Sequence, residues 1–326
     1  MAGHLRSGNT IAGYCLLAII TFGGDRSWAS PIVGDPSLFS RIVGPVSANL
    51  QRLHTWQGRA EITRSAIDAA GQSFSREVIE VNFACDRDHD AVRWNLHAAS
   101  GTIAEQPIHP YFTSGMLWGG KIYRLQPYAV GPRPAGLTLL IEPRPAIPAS
   151  GIDESLDEFS PMAYFPQVQG DTAKALQWYK VHSADKDLIG GTISDLGDRI
   201  VFELSEKAGP AKGVNRYEFS KNQGWNLTRE FLGDDVVQQA YTISYQHISG
   251  VFVPSSYTST YHTARPSPGQ PSSTKTEVQF LDPRLNSPIT FSLQLLGLRP
   301  GDDVYDRASG LDYIYSEPTS MPGSTP

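Results

Sequence analysis

The sequence predicts a mainly β protein of the α+β kind: a curved antiparallel sheet, or an incomplete β-barrel, with helices packed on its concave face. Three observations carry that expectation. Segments alternating apolar and polar residues recur through both halves of the chain, as strands with one wet face require. Short turn signals, Asn222-Gln223-Gly224 and Gly233-Asp234-Asp235, separate consecutive segments and point to antiparallel hairpins. Helical patterning is confined to one stripe ahead of the strands and one insertion between them.

Met1 to Ala29 reads as a cleavable secretory signal. His4 and Arg6 precede the apolar run Ile11 to Phe22 with no acidic group among them, and Gly23-Gly24 ends the run. Ser27-Trp28-Ala29 places small residues where a signal peptidase inspects the chain, so cleavage is expected after Ala29. The run falls short of the roughly 20 residues that a permanent span needs. Acylation at Cys15 is the alternative. Tyr14 then stands where that processing wants a small residue. Residues 30–316 are expected to form a single β domain with a helical insert near 144–188, and residues 317–326 a disordered tail.

Asp35-Pro36-Ser37 opens a helix with a capping residue and a first-turn proline. Leu38, Ile42, Val46, Leu50 and Leu53 then make one apolar stripe to about His54, with Gly44-Pro45 predicting a kink or two shorter helices. Strands are expected over Gly58–Ile67, Ser75–Cys85, Ala91–Ala98, Lys121–Tyr128 and Leu137–Ile141. From about Pro143 to Leu188 the pattern turns Pro-rich and then helical (Ile152–Phe159 and Asp171–Tyr179). This insert is expected to fold over one mouth or face of the sheet, with a second domain as the alternative. Strands resume over Arg199–Leu204, Asn215–Lys221, Trp225–Leu232, Val236–Ser244, Ser255–His262 and Thr274–Leu281, with a longer loop from Thr263 to Ser272. If such a sheet curls, its concave side becomes an apolar pocket unless helices fill it.

The leader carries Arg6, Arg26 and Asp25, a net +1, so the formal charge of −6 becomes about −7 on its removal. Dispersed, mildly acidic charge argues against nucleic acid and against adhesion to anionic lipid heads. No later stretch is apolar enough for a membrane-spanning helix. Beyond the leader Cys85 is the sole cysteine. It shares its parity with Ile79, Val81 and Phe83, so a small buried apolar role is expected in place of a nucleophile.

No catalytic, cofactor-binding or metal residue can be assigned, and no ligand-contacting residue either. H-E-x-x-H, G-x-S-x-G, C-x-x-C and phosphate-cradling glycine loops are absent. Asp86-Arg87-Asp88-His89-Asp90 has carboxylates at alternate positions, as calcium loops do. Ala91 and His97 stand where such a loop needs glycine and glutamate, so a solvated turn is expected. Gly301-Asp302-Asp303 with Asp306-Arg307 reads as a turn, a short strand (Val304, Tyr305) and a second turn at Ser309-Gly310. Trp94, Trp118, Trp178 and Trp225, with Tyr241, Tyr245, Tyr257 and Tyr261, are read as core before ligand cage. Asn226-Leu227-Thr228 matches a glycosylation acceptor but falls within an expected strand.

The succession of segments carries a resemblance. An export signal precedes an amphipathic helix ending near Trp56-Gly58, then Gly58-Arg59-Ala60-Glu61-Ile62, later Trp225 to Leu232. Gly250-Val251-Phe252-Val253-Pro254-Ser255 follows, where an apolar strand meets a proline expected to end or redirect it. From about Asp35 to Tyr315 this layout resembles the LolA/LolB-like outer-membrane lipoprotein-sorting superfamily, and most closely its uncharacterised exported bacterial relatives. The resemblance implies an incomplete β-barrel covered by helices, with an apolar interior for acyl chains. It implies a non-enzymatic, periplasmic or secreted cell-envelope protein that binds a lipid, acyl chain or lipoprotein and uses no cofactor. The chain departs from the pattern in its length, its Pro-rich insert and its end, Leu298-Arg299-Pro300-Gly301-Asp302. Two other readings stand beside it: an envelope scaffold or protein-interaction module with a filled core, and an exported hydrolase using Asp86, Asp88 and Asp90 with a metal.

Overall fold

A computed structural model describes residues 32–35, 37–103, 106–107, 114–127, 136–144, 188–208, 211–233, 236–266 and 270–316. The expected leader and tail lie outside the described residues, as does the insert near 144–188 except for its end residues, Arg144 and Leu188.

Helix α1 (Ser37–Arg52) begins as its capping sequence dictates. The Asp35 carboxylate accepts the Ser37 N–H at 2.9 Å, and the Asp35 carbonyl accepts that of Leu38 at 3.1 Å. Hydrogen bonding to Ser37 is the main reason that the Asp35 carboxyl lies below its usual range. Leu38, Ile42 and Val46 are buried along one stripe. Gly44-Pro45 does not divide the stripe into two shorter helices: Pro45 lies within one continuous helix. Proline there removes one rung, its ring is exposed, and the buried Ile42 and Val46 on either side hold the turn.

The strands are β1 (Ile32–Val33), β2 (Thr55–Ile67), β3 (Ser73–Asp86), β4 (Ala91–Ile103), β5 (Gln106–Pro107), β6 (Ser114–Trp118), β7 (Lys121–Pro127) and β8 (Leu137–Pro143). The second half adds β9 (Leu188–Asp195), β10 (Arg199–Ala208), β11 (Ala211–Ser220), β12 (Asn226–Gly233), β13 (Val237–Ile248), β14 (Val251–Thr263), β15 (Ser273–Leu285), β16 (Asp303–Asp306) and β17 (Leu311–Ile314). They form one sheet. From one edge it runs β1-β9-β10-β11-β12-β13-β14-β15, passes through the β15–β2 pairing, and continues β2-β3-β4-β6-β7-β8-β16-β17. β5 pairs with the far end of β4. Neighbours are antiparallel except β1–β9 and β8–β16. Among the described residues nothing pairs β1 with β17, so the sheet is open.

One expectation is corrected here. Pro254 does not end a strand: β14 continues through it to Thr263. Pro254 pairs with Tyr245 at a register shift, and pairing with β15 begins only at Ser256, so the missing N–H breaks no rung on that side. Directly after the span of the expected insert, β9, which no expected strand covered, inserts between β1 and β10.

Each face has its own cover. Cross-strand partners share a face, so the pairs Phe202–Tyr217, Tyr217–Glu230 and Glu230–Tyr241 place these side chains on one side. α1 lies on that side, its stripe packed against Ile193, Ile200, Phe202, Tyr217, Phe219 and Leu227. The opposite side, over β4 and β6, is crossed by the segment following β15. There the Asn95 amide donates to the Leu295 carbonyl at 2.8 Å and the Ser114 hydroxyl to that of Leu296 at 2.6 Å. This strap closes a second core of Met116, Leu125, Leu139, Ile141, Leu298 and Val304. Among the described residues no helix is long and apolar enough to cross a membrane.

Asn49 ties α1 to β14. Its amide donates to the Phe252 carbonyl at 2.8 Å, and its side-chain oxygen accepts the Phe252 N–H at 2.6 Å. Asn49 is only 8% exposed, so truncation strands both backbone groups away from water. Asn49→Ala is expected to lose about 2 kcal/mol, read as a lower urea midpoint at unchanged slope. An unchanged midpoint would show that this pair does not secure the helix.

Candidate ligand-binding face

The helix side of the sheet changes from apolar to polar in register. One row, Ile243–Tyr257–Val278–Ile62–Ile79, crosses β13, β14, β15, β2 and β3 and is fully buried. Below it Trp56, Phe83 and Phe280 interlock. The Trp56 and Phe83 centroids are 5.0 Å apart and edge-on, and the Phe83 and Phe280 centroids 5.5 Å apart. Two residues along each strand in the other direction the chemistry changes. The next row is Glu230–Tyr241–Ser259–Thr276–Arg64–Glu77, all half-buried. Arg64 and Glu77 are 3.5 Å apart. Gln239, Tyr261 and Thr274 continue the polar margin.

Glu230 stands apart in this row. Its cross-strand neighbours are Tyr217 and Tyr241, and among the described residues it makes no hydrogen bond or ion pair. Desolvation alone pushes its carboxyl up to about 7. Burial, then the nearby Glu230 charge, raises the Tyr241 phenol above its usual range, and burial does the same to Tyr245. The Tyr241 and Tyr257 ring centroids lie 5.8 Å apart.

Towards the β17 edge the same side carries a pocket of about 450 Å³ lined by Gln126, Leu140, Tyr305, Arg307 and Asp312. The Arg307 guanidinium there is already engaged. Arg124 and Arg307 each hold a different oxygen of Glu142 at 2.8 Å.

The residues singled out in the sequence fall as follows. Cys85 is buried in the core with Ile79, Val81 and Phe83, and desolvation pushes its thiol up to about 12, which suits an inert packing group. Asp86, Asp88 and Asp90 do not converge. His89 lies 2.9 Å from Asp86, His54 2.9 Å from Asp88, and Arg144 binds Asp90. The Asp86 contact raises the His89 imidazole above its usual value. Arg87 turns inward to the Leu50 and Leu53 carbonyls, joining the β3–β4 turn to the end of α1. Among the described residues no group of three or more His, Cys, Asp or Glu could hold a metal ion.

Asp302 and Asp306 organise turns. Asp302 accepts the Arg299 and Leu137 N–H groups, and Asp306 those of Ala308 and Ser309. Hydrogen bonding from Ser309 leads the causes that lower the Asp306 carboxyl. Trp94 and Tyr257 are core, Trp118 is exposed, and Trp225 lies beneath the Arg41 guanidinium, 5.4 Å from its ring centre. Trp178 lies outside the described residues. Asn226 is buried and donates to the Gln223 carbonyl at 2.7 Å, which removes it as a surface glycan acceptor. Glu230 was missed by sequence reasoning.

Fold and face define a class: an open, mostly antiparallel β-sheet protein whose helix-covered side grades from an apolar floor to a polar margin. No protein-family model matches the chain, and no curated protein matches it. Among solved structures it is similar to a DUF1329 family protein from Desulfovibrio piger, with 11% identity and a TM-score of 0.40 over 81% of this chain and 100% of that one. That likeness assigns neither ligand nor activity.

Proposed function

We propose that this protein is a non-enzymatic carrier of the bacterial cell envelope, periplasmic or secreted, that shelters a lipid, an acyl chain or the lipid part of a lipoprotein. The chain would lie against the helix side of the sheet. One observation carries the reading: an unbroken apolar row across β13, β14, β15, β2 and β3 that gives way in register to polar side chains. An amphiphile has the same profile, and each CH₂ it buries contributes about 0.8 kcal/mol. Twisted sheets of more than about ten strands curl or split, and this one is far wider, so curling towards the side that α1 covers would make an incomplete barrel. The resemblance to lipoprotein-sorting proteins implies the same arrangement.

A second reading has its own support. Trp56, Ile62, Ile79 and Val278 are already 0% exposed, as in the filled interior of an envelope scaffold. Mass spectrometry of protein purified from cells decides between the two. The carrier is expected to arrive with bound lipid and, once delipidated, to take up an uncharged fluorescent long-chain alcohol to saturation. A scaffold gives neither.

A further inference from the structure

We infer that the polar row at Glu230 is the headgroup site for this ligand and that it takes a cationic, amine-bearing head, held by the Glu230 carboxylate between Tyr217 and Tyr241. The inference rests on the carrier reading and narrows its ligand class.

Position supplies the first argument. Glu230 lies in the row next to the apolar one, where the head of a chain lying on Ile243 and Tyr257 would emerge. Among the described residues, its own strand and the two flanking it place no cation on this side: Arg229 of β12 and Arg216 of β11 alternate to the other face. β11 offers Tyr217 and β13 offers Tyr241, and burial drives the carboxyl's shift. The charges further along the row, Arg64 and Glu77, face each other. Among the described residues this half-buried carboxylate meets no cation, an unmet requirement that a ligand can fill.

Charge sign supplies the second argument. A fatty-acid carboxylate or a lipid phosphate would meet Glu230 as a like charge, with no free cation beside it among the described residues. A primary or quaternary ammonium meets a carboxylate flanked across the sheet by two tyrosines, a combination of residue types that recognises such groups. Each alternative head lacks one of these partners.

Three probes of equal chain length test this by calorimetry with the delipidated full protein: dodecyltrimethylammonium, dodecanol and dodecanoate, each below micelle formation. At about pH 8 the ammonium probe is expected to bind at least about tenfold tighter than the alcohol, with dodecanoate weakest. Its charge is fixed, so only the protein titrates. With a free-state carboxyl near 7, its affinity should fall about thirtyfold from about pH 8.5 to about pH 5.5, while that of dodecanol stays level. Glu230→Gln should abolish the preference without weakening dodecanol binding, and Tyr241→Phe, which keeps the ring, should retain it. Dodecanoate binding best, or a folded Glu230→Gln protein that still prefers the ammonium probe, would overturn the headgroup assignment and leave the apolar face standing. Failure of all three probes would remove the carrier reading itself.

Discussion

Gly115→Ala is expected to destabilise the protein by about 3 kcal/mol. Gly115 is paired with Trp94 across β6 and β4, and the indole lies directly over it. A Cβ at position 115 would stand 2.1 Å from Cζ2 of Trp94 and 2.5 Å from Cε2, far inside contact distance. Neither partner can yield cheaply. Trp94 is 1% exposed within the helix-side core. β6 is held on both sides, by Met116 in the strap-side core and Leu117 in the helix-side core. Trp94→Phe in the Gly115→Ala background should recover part of the loss, so the two changes are non-additive in urea denaturation. A Gly115→Ala protein as stable as the parent would show that the ring does not lie where the register puts it.

Glu230→Gln is expected to act in the opposite direction, stabilising the protein above neutral pH by up to about 3 kcal/mol. The folded-state carboxyl stands at about 7 against an ordinary 4.5, so the native state binds more protons than the unfolded chain between those limits. The stability of the neutral form is fully present below about pH 4.5 and lost as pH rises through about 7. Glutamine cannot ionise, so the two proteins should diverge from about pH 5 upward and differ most above about pH 8. Chemical denaturation of both between those values reads this directly. A gap that is constant with pH would mean that the carboxyl is not desolvated.

Glu230 also shows why the site escaped the sequence. Leu227 packs beneath α1, and strict alternation would send Glu230, three residues on, to the opposite face. A bulge intervenes: Phe219 pairs with Leu227 but Glu218 with Arg229, so Thr228 is extra and Glu230 returns to the helix side. No local residue type marks that bulge. Where alternation is unbroken the reading held, as for Ile79, Val81, Phe83 and Cys85, all in one core. Local polar chemistry was equally legible: Asp35 caps α1 and Asp86 closes the β3–β4 turn through His89.

Elements covered on both faces or lying at an edge left weaker traces. β6 is a run with Met116 buried one way and Leu117 the other, so it shows no period of two. β9 contains Gly190-Gly191 and draws part of its pairing from β1, far away in sequence. β17 is an exposed edge of four residues. The strap is invisible to any periodicity, because Asn95 and Ser114 bind its carbonyl oxygens whatever side chains it carries.

The account depends on an alkyl chain lying along the helix side of the sheet. A dodecylamine bearing a photoreactive diazirine in its chain, irradiated with the delipidated protein and mapped by peptide mass spectrometry, tests this most directly. Labelling should fall on β13, β14 and β15 around Tyr241, Tyr257, Ser259 and Thr276. Labelling confined to the strap side around Leu293–Leu298, or none above an unfolded control, would contradict it.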